Sequence, residues 1–351
     1  MQTKLKQTNL MDLLTTTPPE LSTGAATKLA SDHFGIEATV KPLDSERDQN
    51  FRLDASDGSR YVLKIANRAE KAQTIDFQNS GLIHIAKTDP ALPIPKVIPD
   101  LDGRLLSHVK IAGETHIIRV LSWLDGVERD DPVAPPKLAA ELGCLLARLG
   151  LALRDFTHPG SDHDLLWDLK RASSLRELIV YSEGSSEYDL ILQTLDRFEQ
   201  RVEPKLLSLR SQVIFNDLHA GNVLVHQDDR MCVSGIIDFG DLIRSPLIND
   251  LAVALAYQLS PGEDPLAGAL PMIAAYHSVC PLHVQEMDLL TDLVRTRLIT
   301  TLIIGACRSQ LFPENTEYLL SSKASASNAL NKLQVLSSED ALRRIRMACG
   351  T

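Results

Sequence analysis

Residues 213 to 240 read VIFNDLHAGNVLVHQDDRMCVSGIIDFG, and they carry the strongest structural signal in the chain. It contains two short apolar runs, 223 to 226 and 231 to 237, which predict a pair of strands joined by a polar turn. Three oxygen-bearing side chains, Asp217, Asn222 and Asp238, stand at the ends of such apolar runs. A strand pair would hold these side chains rigidly, so we expect them to form a chemical site.

Carboxylate and amide oxygens are the ligands that Mg²⁺ prefers, and a nucleotide kinase needs one or two of them beside the phosphates. Asn222 and Asp238 fit as metal ligands. Asp217, five residues before Asn222, would orient the acceptor hydroxyl or take its proton. His219 could also bind a metal, although a loop histidine bonded to backbone is the favoured interpretation. The competing interpretation of the whole stretch is a solvated polar loop.

The first third of the chain is patterned as an antiparallel sheet. Runs 50 to 55 and 60 to 66 flank an Asp57-Gly58 turn, a strong hairpin signal because glycine accepts a positive φ. Further glycine turns predict a meander, interrupted by one helix from about residue 71 to residue 87. Lys64 breaks an apolar strand run without the regular polar alternation of a solvated strand, so we single it out.

The pattern becomes mostly helical after an acidic, proline-rich connector. We therefore predict an α+β, bilobal chain with an antiparallel sheet and one main helix in its first lobe. Residues 1 to 124 would form this nucleotide-binding lobe, 125 to 136 a hinge or connector, and 137 to 351 a larger, mostly helical catalytic and substrate-binding lobe.

Composition narrows the class of protein further. With 351 residues, 44% hydrophobic and 23% charged, the chain is of ordinary globular composition. Its formal net charge of -10 disfavours a nucleic-acid partner. Five scattered cysteines predict free thiols in a reducing compartment, and neither a signal peptide nor a membrane-spanning run is recognisable. We expect a cytoplasmic protein with no membrane partner, while the oligomeric state stays open.

The motif D-x-x-x-x-N, followed sixteen residues later by D-F-G, resembles the catalytic core of the aminoglycoside phosphotransferase and choline kinase group, relatives of protein kinases. The resemblance implies a protein-kinase-like fold. It also implies that Asp217 is the catalytic residue, that Asn222 and Asp238 bind Mg²⁺, and that Lys64 contacts the phosphates of ATP or GTP.

The same resemblance assigns three further nucleotide-binding positions. Gln78 falls where the family has the glutamate that partners the strand lysine, with Asp76 as the only acid nearby. A glutamine can still hydrogen-bond Lys64. Ser122 and Leu124 match the hinge whose backbone meets the adenine edge. The segment 43 to 51 takes the place of the glycine-rich phosphate loop, although it has no glycine.

The acceptor is expected to be small. Only eleven residues separate Asp238 from Asp250 and no A-P-E sequence follows, which disfavours a protein substrate. Asp250 resembles the helix residue that accepts backbone amides of the catalytic loop. Asp241 would face the acceptor and could bind an ammonium group; the alternative is a solvated turn residue. The sequences SERDQNF, PIP, NDLHAGNVLV and DFGD are most similar to hydroxylysine kinase and related bacterial proteins, whose acceptor is a hydroxylated amine and whose donor can be GTP.

Several alternatives remain open at this stage. The acceptor could instead be homoserine, ethanolamine, choline or an aminoglycoside. A non-catalytic, nucleotide-binding pseudokinase is suggested by Gln78, by the glycine-free loop and by Phe215, which replaces the family's usual histidine. A metallo-phosphohydrolase could use Asp217, His219 and Asp238, although such enzymes usually gather more ligands around two metals.

Overall fold

The computed structural model describes residues 18 to 45, 48 to 111, 113 to 129, 131 to 313 and 322 to 351. The chain divides into two compact units. The first consists of the chain up to Asp125 together with Thr157–Asp164 and Gly235–Gly240. The second consists of Gly126–Phe156, Leu165–Ser234 and Asp241–Thr351. Each unit is described by itself below.

Among its described residues, the first unit has an antiparallel sheet and two helices. Its strands run in the order β1, β2, β3, β6, β4, and β5 also pairs with β6. The elements in chain order are α1 (Thr23–Phe34), β1 (Ala38–Leu43), β2 (Gln49–Ala55), β3 (Arg60–Ile65), α2 (Ala72–Thr88), β4 (Val97–Ile98), β5 (Ser107–Ile111) and β6 (Glu114–Ser122). The strands β2 and β3, the turn between them and the helix α2 confirm the sequence prediction.

The core of this unit lies on one face of the sheet. Alternate residues of β2 and β3 are buried there, among them Phe51, Leu53 and Leu63, because successive side chains of a strand point to opposite faces. Helix α1 covers this face with Ala26 and its neighbours at helical spacing. The Asp57-Gly58 turn is built as predicted, with φ of +87° at the glycine.

The second unit is mostly helical. The elements in chain order are β7 (Val127–Glu128), α3 (Pro136–Ala152), α4 (Tyr188–Arg197), α5 (Glu203–Leu206), β8 (Ser211–Ile214), β9 (Val223–Val225), β10 (Val233–Ile236), β11 (Ile243–Pro246), α6 (Leu247–Ala256), α7 (Ala269–Val279), α8 (Val284–Leu311), α9 (Lys323–Val335) and α10 (Ser338–Cys349). Strand β10 begins in this unit and ends in the first. β7 pairs with β9 and β8 with β11, both antiparallel.

Helix α8 forms the centre of the second unit. It packs against α6, α9 and a stretch of short helical turns, Leu169–Ser182. Its buried residues lie on all of its faces, as expected for a helix surrounded by protein. Helix α3 packs against α7 at Gly143, where an added Cβ would lie 2.3 Å from the carbonyl oxygen of Met272. The close approach of these two helices therefore requires a glycine.

Some elements were not predicted from the sequence. They are α1, β1, the pair β8 and β11, the turns of Leu169–Ser182 and helix α10. The paired strands have only four residues each, which is too short for an alternating pattern to stand out. All five cysteines are free thiols. Within the described ranges, no helix combines the length and the apolar character needed to cross a bilayer.

Candidate active site

The loop after β8 carries Asp217 in an unusual backbone conformation. Asn216 has φ of +67° and is fully buried. Asp250, at the start of α6, fixes this turn because its carboxylate accepts the N–H of Asn216 at 2.7 Å and that of Phe215 at 3.3 Å. The role predicted for Asp250 is confirmed. A non-glycine residue stays in the left-handed region only when the surrounding contacts hold it there. Such strained residues are frequent in functional loops.

Burial dominates the electrostatics of Asp250. Its side chain is almost completely inaccessible, and burial raises its pKa to about 7 in spite of the two N–H groups that stabilise the charged form. The group that holds the loop therefore titrates near neutral pH.

Both carboxylate oxygens of Asp217 contact neighbouring side chains. Asn222 donates from Nδ2 to Oδ2 at 2.7 Å and to the Asp217 carbonyl oxygen at 3.0 Å. Arg297 on α8 lies 3.4 Å from Oδ1 through Nη2. His219 places Nε2 3.6 Å from Oδ2, while its Nδ1 accepts the N–H of Gly221. The backbone-bonded role favoured for His219 is thus present, and the spacing of Asp217 and Asn222 brings them into direct contact.

Arg297 lies beside Asp217 in this unit and was not singled out from the sequence. Its side chain is only 2% exposed. The guanidinium lies over the ring of Trp167, 4.5 Å from the centroid, and its Nη2 lies 3.2 Å from the hydroxyl of Tyr257. Although burial lowers the pKa of Arg297, the nearby Tyr257, Asp217 and Asp241 raise it above its ordinary value. The one sequence signal was an arginine inside the apolar run of α8.

In the first unit, Asp238 lies close to Lys64. Lys64 Nζ lies 3.7 Å from Asp238 Oδ1, and the lysine side chain is 13% exposed while that of the aspartate is 52% exposed. Asp238 has φ of +58° and its Oδ1 accepts the N–H of Gly240. This left-handed conformation accompanies a half-exposed carboxylate that lies near the strand lysine.

The strand register places a second cation beside Lys64. Arg119 on β6 pairs directly with Lys64, and Asn50 on β2 pairs with it from the other side. Residues directly opposite in an antiparallel pair share a face. Arg119 is buried, and burial lowers its pKa, partly offset by Asp48 and other carboxylates. The Oδ1 of Asn50 is buried and has no hydrogen-bond partner among the described residues.

Gln78 hydrogen-bonds Arg119 instead of Lys64. Its Oε1 accepts from Arg119 Nη2 at 2.7 Å, and its Nε2 donates to the carbonyl oxygen of Gly240 at 2.9 Å. The adjacent Asn79 accepts from the other terminal nitrogen of Arg119 at 2.8 Å. The expected hydrogen bond from Gln78 to Lys64 is therefore replaced by a clamp between α2 and β6, because a neutral amide can serve a cation and a carbonyl at once.

The remaining predicted positions are placed as follows. Asp76 lies 3.1 Å from His158 Nε2, so it is engaged away from Lys64. The N–H of Ser122 donates to the carbonyl oxygen of Lys96 at 2.8 Å, and its hydroxyl accepts the N–H of Lys96 at 2.9 Å. Contacts of Ser122 and Leu124 with a nucleotide base stay a prediction.

Two further expectations concern loops and metals. Of the segment proposed in place of the phosphate loop, Glu46 and Arg47 lie outside the described residues. Asp48 in the same segment accepts the N–H of Asn67 at 3.0 Å. Across the described part of the chain, no group of three or more histidine, cysteine, aspartate or glutamate side chains could hold a metal ion. The predicted ligand pair consists instead of one carboxylate and one amide.

The sequence and the fold identify the family. Residues 39–282 match the model of the phosphotransferase enzyme family, APH. The chain belongs to this family. It is a small-molecule kinase, a phosphotransferase whose acceptor is a hydroxyl group.

Curated relatives extend over nearly the whole chain. A hydroxylysine kinase of Danio rerio is 27% identical over 339 residues, covering 93% of this chain and 95% of the relative. A hydroxylysine kinase of Mus musculus is 29% identical over 325 residues, covering 86% of each chain.

Solved structures support the kinase-like fold. The amicoumacin kinase hAmiN, in complex with AMP-PNP, Ca²⁺ and Ami, is similar with a TM-score of 0.67 and 18% identity, over 92% of this chain and 94% of that chain. A microcompartment-associated aminopropanol kinase has a TM-score of 0.65 and 18% identity, over 92% of this chain and all of that chain. The predicted α+β, protein-kinase-like fold is confirmed.

Proposed function

We propose that this enzyme transfers the γ-phosphoryl group of ATP or GTP to the hydroxyl of a small amino compound, with hydroxylysine as the first candidate and Mg²⁺ as the metal. The observation that carries the proposal is the held carboxylate of Asp217, with Asn222 at 2.7 Å from one oxygen. The hydroxylysine kinases that match most of the chain support the choice of acceptor.

In this mechanism Asp217 binds the acceptor hydroxyl and takes its proton. The hydroxyl oxygen forms the new bond to phosphorus as the bond from that phosphorus to the bridging oxygen of the nucleotide breaks, and the nucleoside diphosphate leaves with the bonding electrons. The bond from Asn222 keeps Oδ2 in place, and the acceptor would approach Oδ1, whose contact with Arg297 is long at 3.4 Å. Asp217 contributes orientation as much as basicity.

The residues present suit a nucleotide and a hard cation. Lys64 and Asp238 lie 3.7 Å apart as a cation and a carboxylate, and the Asp238 side chain is 52% exposed, so a ligand can reach that carboxylate from solvent. Asn222 donates through its amide nitrogen, which leaves its Oδ1 as an oxygen donor for the metal. When bound, Mg²⁺ neutralises phosphate charge. Asp238 and Asn222 would hold the metal, and Lys64 would bind the α- and β-phosphates.

The remaining assignments concern the nucleotide base and the ammonium group of the acceptor. The backbone of Ser122 and Leu124 would meet the adenine or guanine edge, and Asp241 would bind the ammonium group of the acceptor. Gln78 would act through Arg119 on the strand face that carries Lys64, since its amide bonds that guanidinium directly.

The test is a coupled assay of nucleoside diphosphate release with Mg²⁺, with ATP and GTP in parallel. The acceptors are hydroxylysine, homoserine, ethanolamine, choline and a set of aminoglycosides. We expect release that depends on hydroxylysine. Asp217→Asn should lower kcat by about 100-fold or more while nucleotide binding persists. Asp228→Asn, in an exposed turn, is the matched control. If another acceptor supports release and hydroxylysine does not, the proposed substrate is wrong. If Asp217→Asn keeps full activity, the proposed mechanism is wrong.

A further inference from the structure

Arg297 is a buried cation that has unpaired N–H donors among the described residues. A guanidinium has five N–H donors and no acceptor. Nε and Nη1 of Arg297 are buried and have no hydrogen-bond partner within the residues that the structure describes. Nη2 has two contacts, 3.4 Å to Asp217 and 3.2 Å to the Tyr257 hydroxyl. Both are longer than the 2.7 to 2.9 Å that is usual for a charged donor.

Buried N–H donors without acceptors lower the stability of the folded protein unless another group accepts their hydrogen bonds. Removing a cation from water requires close, well-formed pairing in return. The rings of Trp167 and Tyr257 lie against the guanidinium, with its Cζ 4.5 Å and 5.8 Å from their centroids. Aromatic faces attract a cation, but they accept no conventional hydrogen bond from its N–H groups. The protein therefore supplies a dry, oriented cation with unused donors, 3.4 Å from the carboxylate that would hold the acceptor hydroxyl.

A purely structural role for Arg297 fits these contacts less well. Asp217 is already held by Asn222 at 2.7 Å, so a second anchor at 3.4 Å adds little to its orientation. Arg295, two residues earlier on α8, shows what a structural arginine looks like here. It pairs with Asp292 at 2.9 Å and donates to the carbonyl oxygen of Leu333 at 2.7 Å.

We propose that Arg297 binds a carboxylate of the acceptor, and hence that the acceptor is a hydroxy amino acid rather than an amino alcohol. This inference rests on the proposed function, because it concerns the acceptor bound at Asp217. A carboxylate that accepts from Nη1 or Nε would form a short, charge-assisted bond where the described residues offer no acceptor. Exclusion of water by Trp167 and Tyr257 strengthens that bond. As proposed above, Asp241 would bind the ammonium group of the same zwitterion.

The proposal separates the candidate acceptors by chemistry. Hydroxylysine, homoserine and serine carry the carboxylate, whereas ethanolamine, choline and the aminoglycosides do not. Amino acid acceptors should therefore be preferred over the amines obtained by removing their carboxyl group, although both kinds offer a hydroxyl and an ammonium group.

The experiment compares each amino acid with its decarboxylated counterpart: hydroxylysine, homoserine and serine against the corresponding amino alcohols. For the wild type we expect kcat/KM to favour the best amino acid over its counterpart by about 10- to 100-fold, the size of one bond to a charged group. Arg297→Gln should reduce this preference to within about threefold, and Arg297→Lys should keep part of it. Arg295→Gln is the matched control and should leave the preference unchanged.

Each outcome decides the proposal. An equal loss of kcat/KM for both members of a pair in Arg297→Gln would show that the arginine only positions Asp217, and it would overturn the inference. If the variants do not fold, wild type is compared on hydroxylysine and hydroxylysine amide, which differ in the carboxylate charge. Equal use of these two compounds would also overturn it.

The proposed function can fail separately. If no acceptor is phosphorylated, the binding of hydroxylysine and of its decarboxylated counterpart is titrated calorimetrically on the full-length protein and on Arg297→Gln. Binding that requires both the carboxylate and Arg297 supports the inference without any turnover. Equal binding of both compounds to the wild type contradicts it.

Discussion

Asp250 offers a sharp test of how the active-site loop is held. Its carboxylate accepts the N–H groups of Phe215 and Asn216, which lie immediately before Asp217. Asp250→Ala removes both acceptors. Because a buried N–H without a partner costs about 1 to 3 kcal/mol, the loss of two acceptors should lower the free energy of unfolding by about 2 to 6 kcal/mol. kcat should fall as well, since the turn that carries Asp217 loses its support.

Asp250→Asn tests the same contact through its pH dependence. Burial raises the pKa of Asp250 from 3.8 to about 7. Between these two values the folded protein keeps a proton that the unfolded chain has released, so stability falls as pH rises. The contribution is present below about pH 4 and is lost as pH rises through about 7. One pKa unit corresponds to about 1.4 kcal/mol, so the whole effect is about 4 kcal/mol.

The assay is urea unfolding followed by tryptophan fluorescence at several pH values from about 5 to about 8. Asparagine does not titrate, so the stability of wild type relative to Asp250→Asn should fall by about 3 kcal/mol across that range. Asp228→Asn, which changes an exposed carboxylate of the same unit, should show no such trend. A wild-type-to-variant difference that does not change with pH would refute the argument, as would an Asp250→Ala protein as stable as wild type.

Three further predictions concern single contacts. Lys64→Met should raise the KM for the nucleotide about tenfold or more because the ion pair of Lys64 with Asp238 is long, 3.7 Å, and a phosphate could bind the ammonium more closely, whereas Lys41→Met, at an exposed lysine, should not. Asn222→Ala should lower kcat by about 10- to 100-fold, since Asp217 loses its 2.7 Å donor; unchanged steady-state kinetics would exclude this role. Asn216→Ala should be less stable in urea than Asn216→Gly by about 1 kcal/mol because φ is +67°, and equal stability would show that the turn carries no strain.

The part of the site with local sequence signals could be predicted. Asp217 and Asn222 are five residues apart in one loop, and their direct bond follows from that spacing. Asp250 was also predicted, because its place on the helix after D-F-G identifies its role. The residues that sequence reasoning missed are both arginines from distant elements. Arg297 is eighty positions from Asp217, and Arg119 is forty-one from Gln78.

Gln78 illustrates why the remainder could not be predicted. Its place on α2 was recognisable, but its partner depends on which residue of β6 lies opposite Lys64. The register of β3 and β6 places Arg119 there. Its guanidinium then hydrogen-bonds the Gln78 amide, which was expected to bond Lys64. A shift of one residue in that register would turn Arg119 to the other face of the sheet. No pattern within either segment reveals the register.

Apolar periodicity and motif spacing are local properties of the chain, and they were enough to predict the family, the kinase-like fold and the residues proposed for catalysis. The surroundings of those residues could not be predicted in this way: the buried guanidinium beside Asp217, the hydrogen bonds between Arg119 and Gln78, and the left-handed turn held by Asp250. Burial removes water from these groups. Their charge and hydrogen bonding then depend on neighbours that only the packing of distant segments brings together.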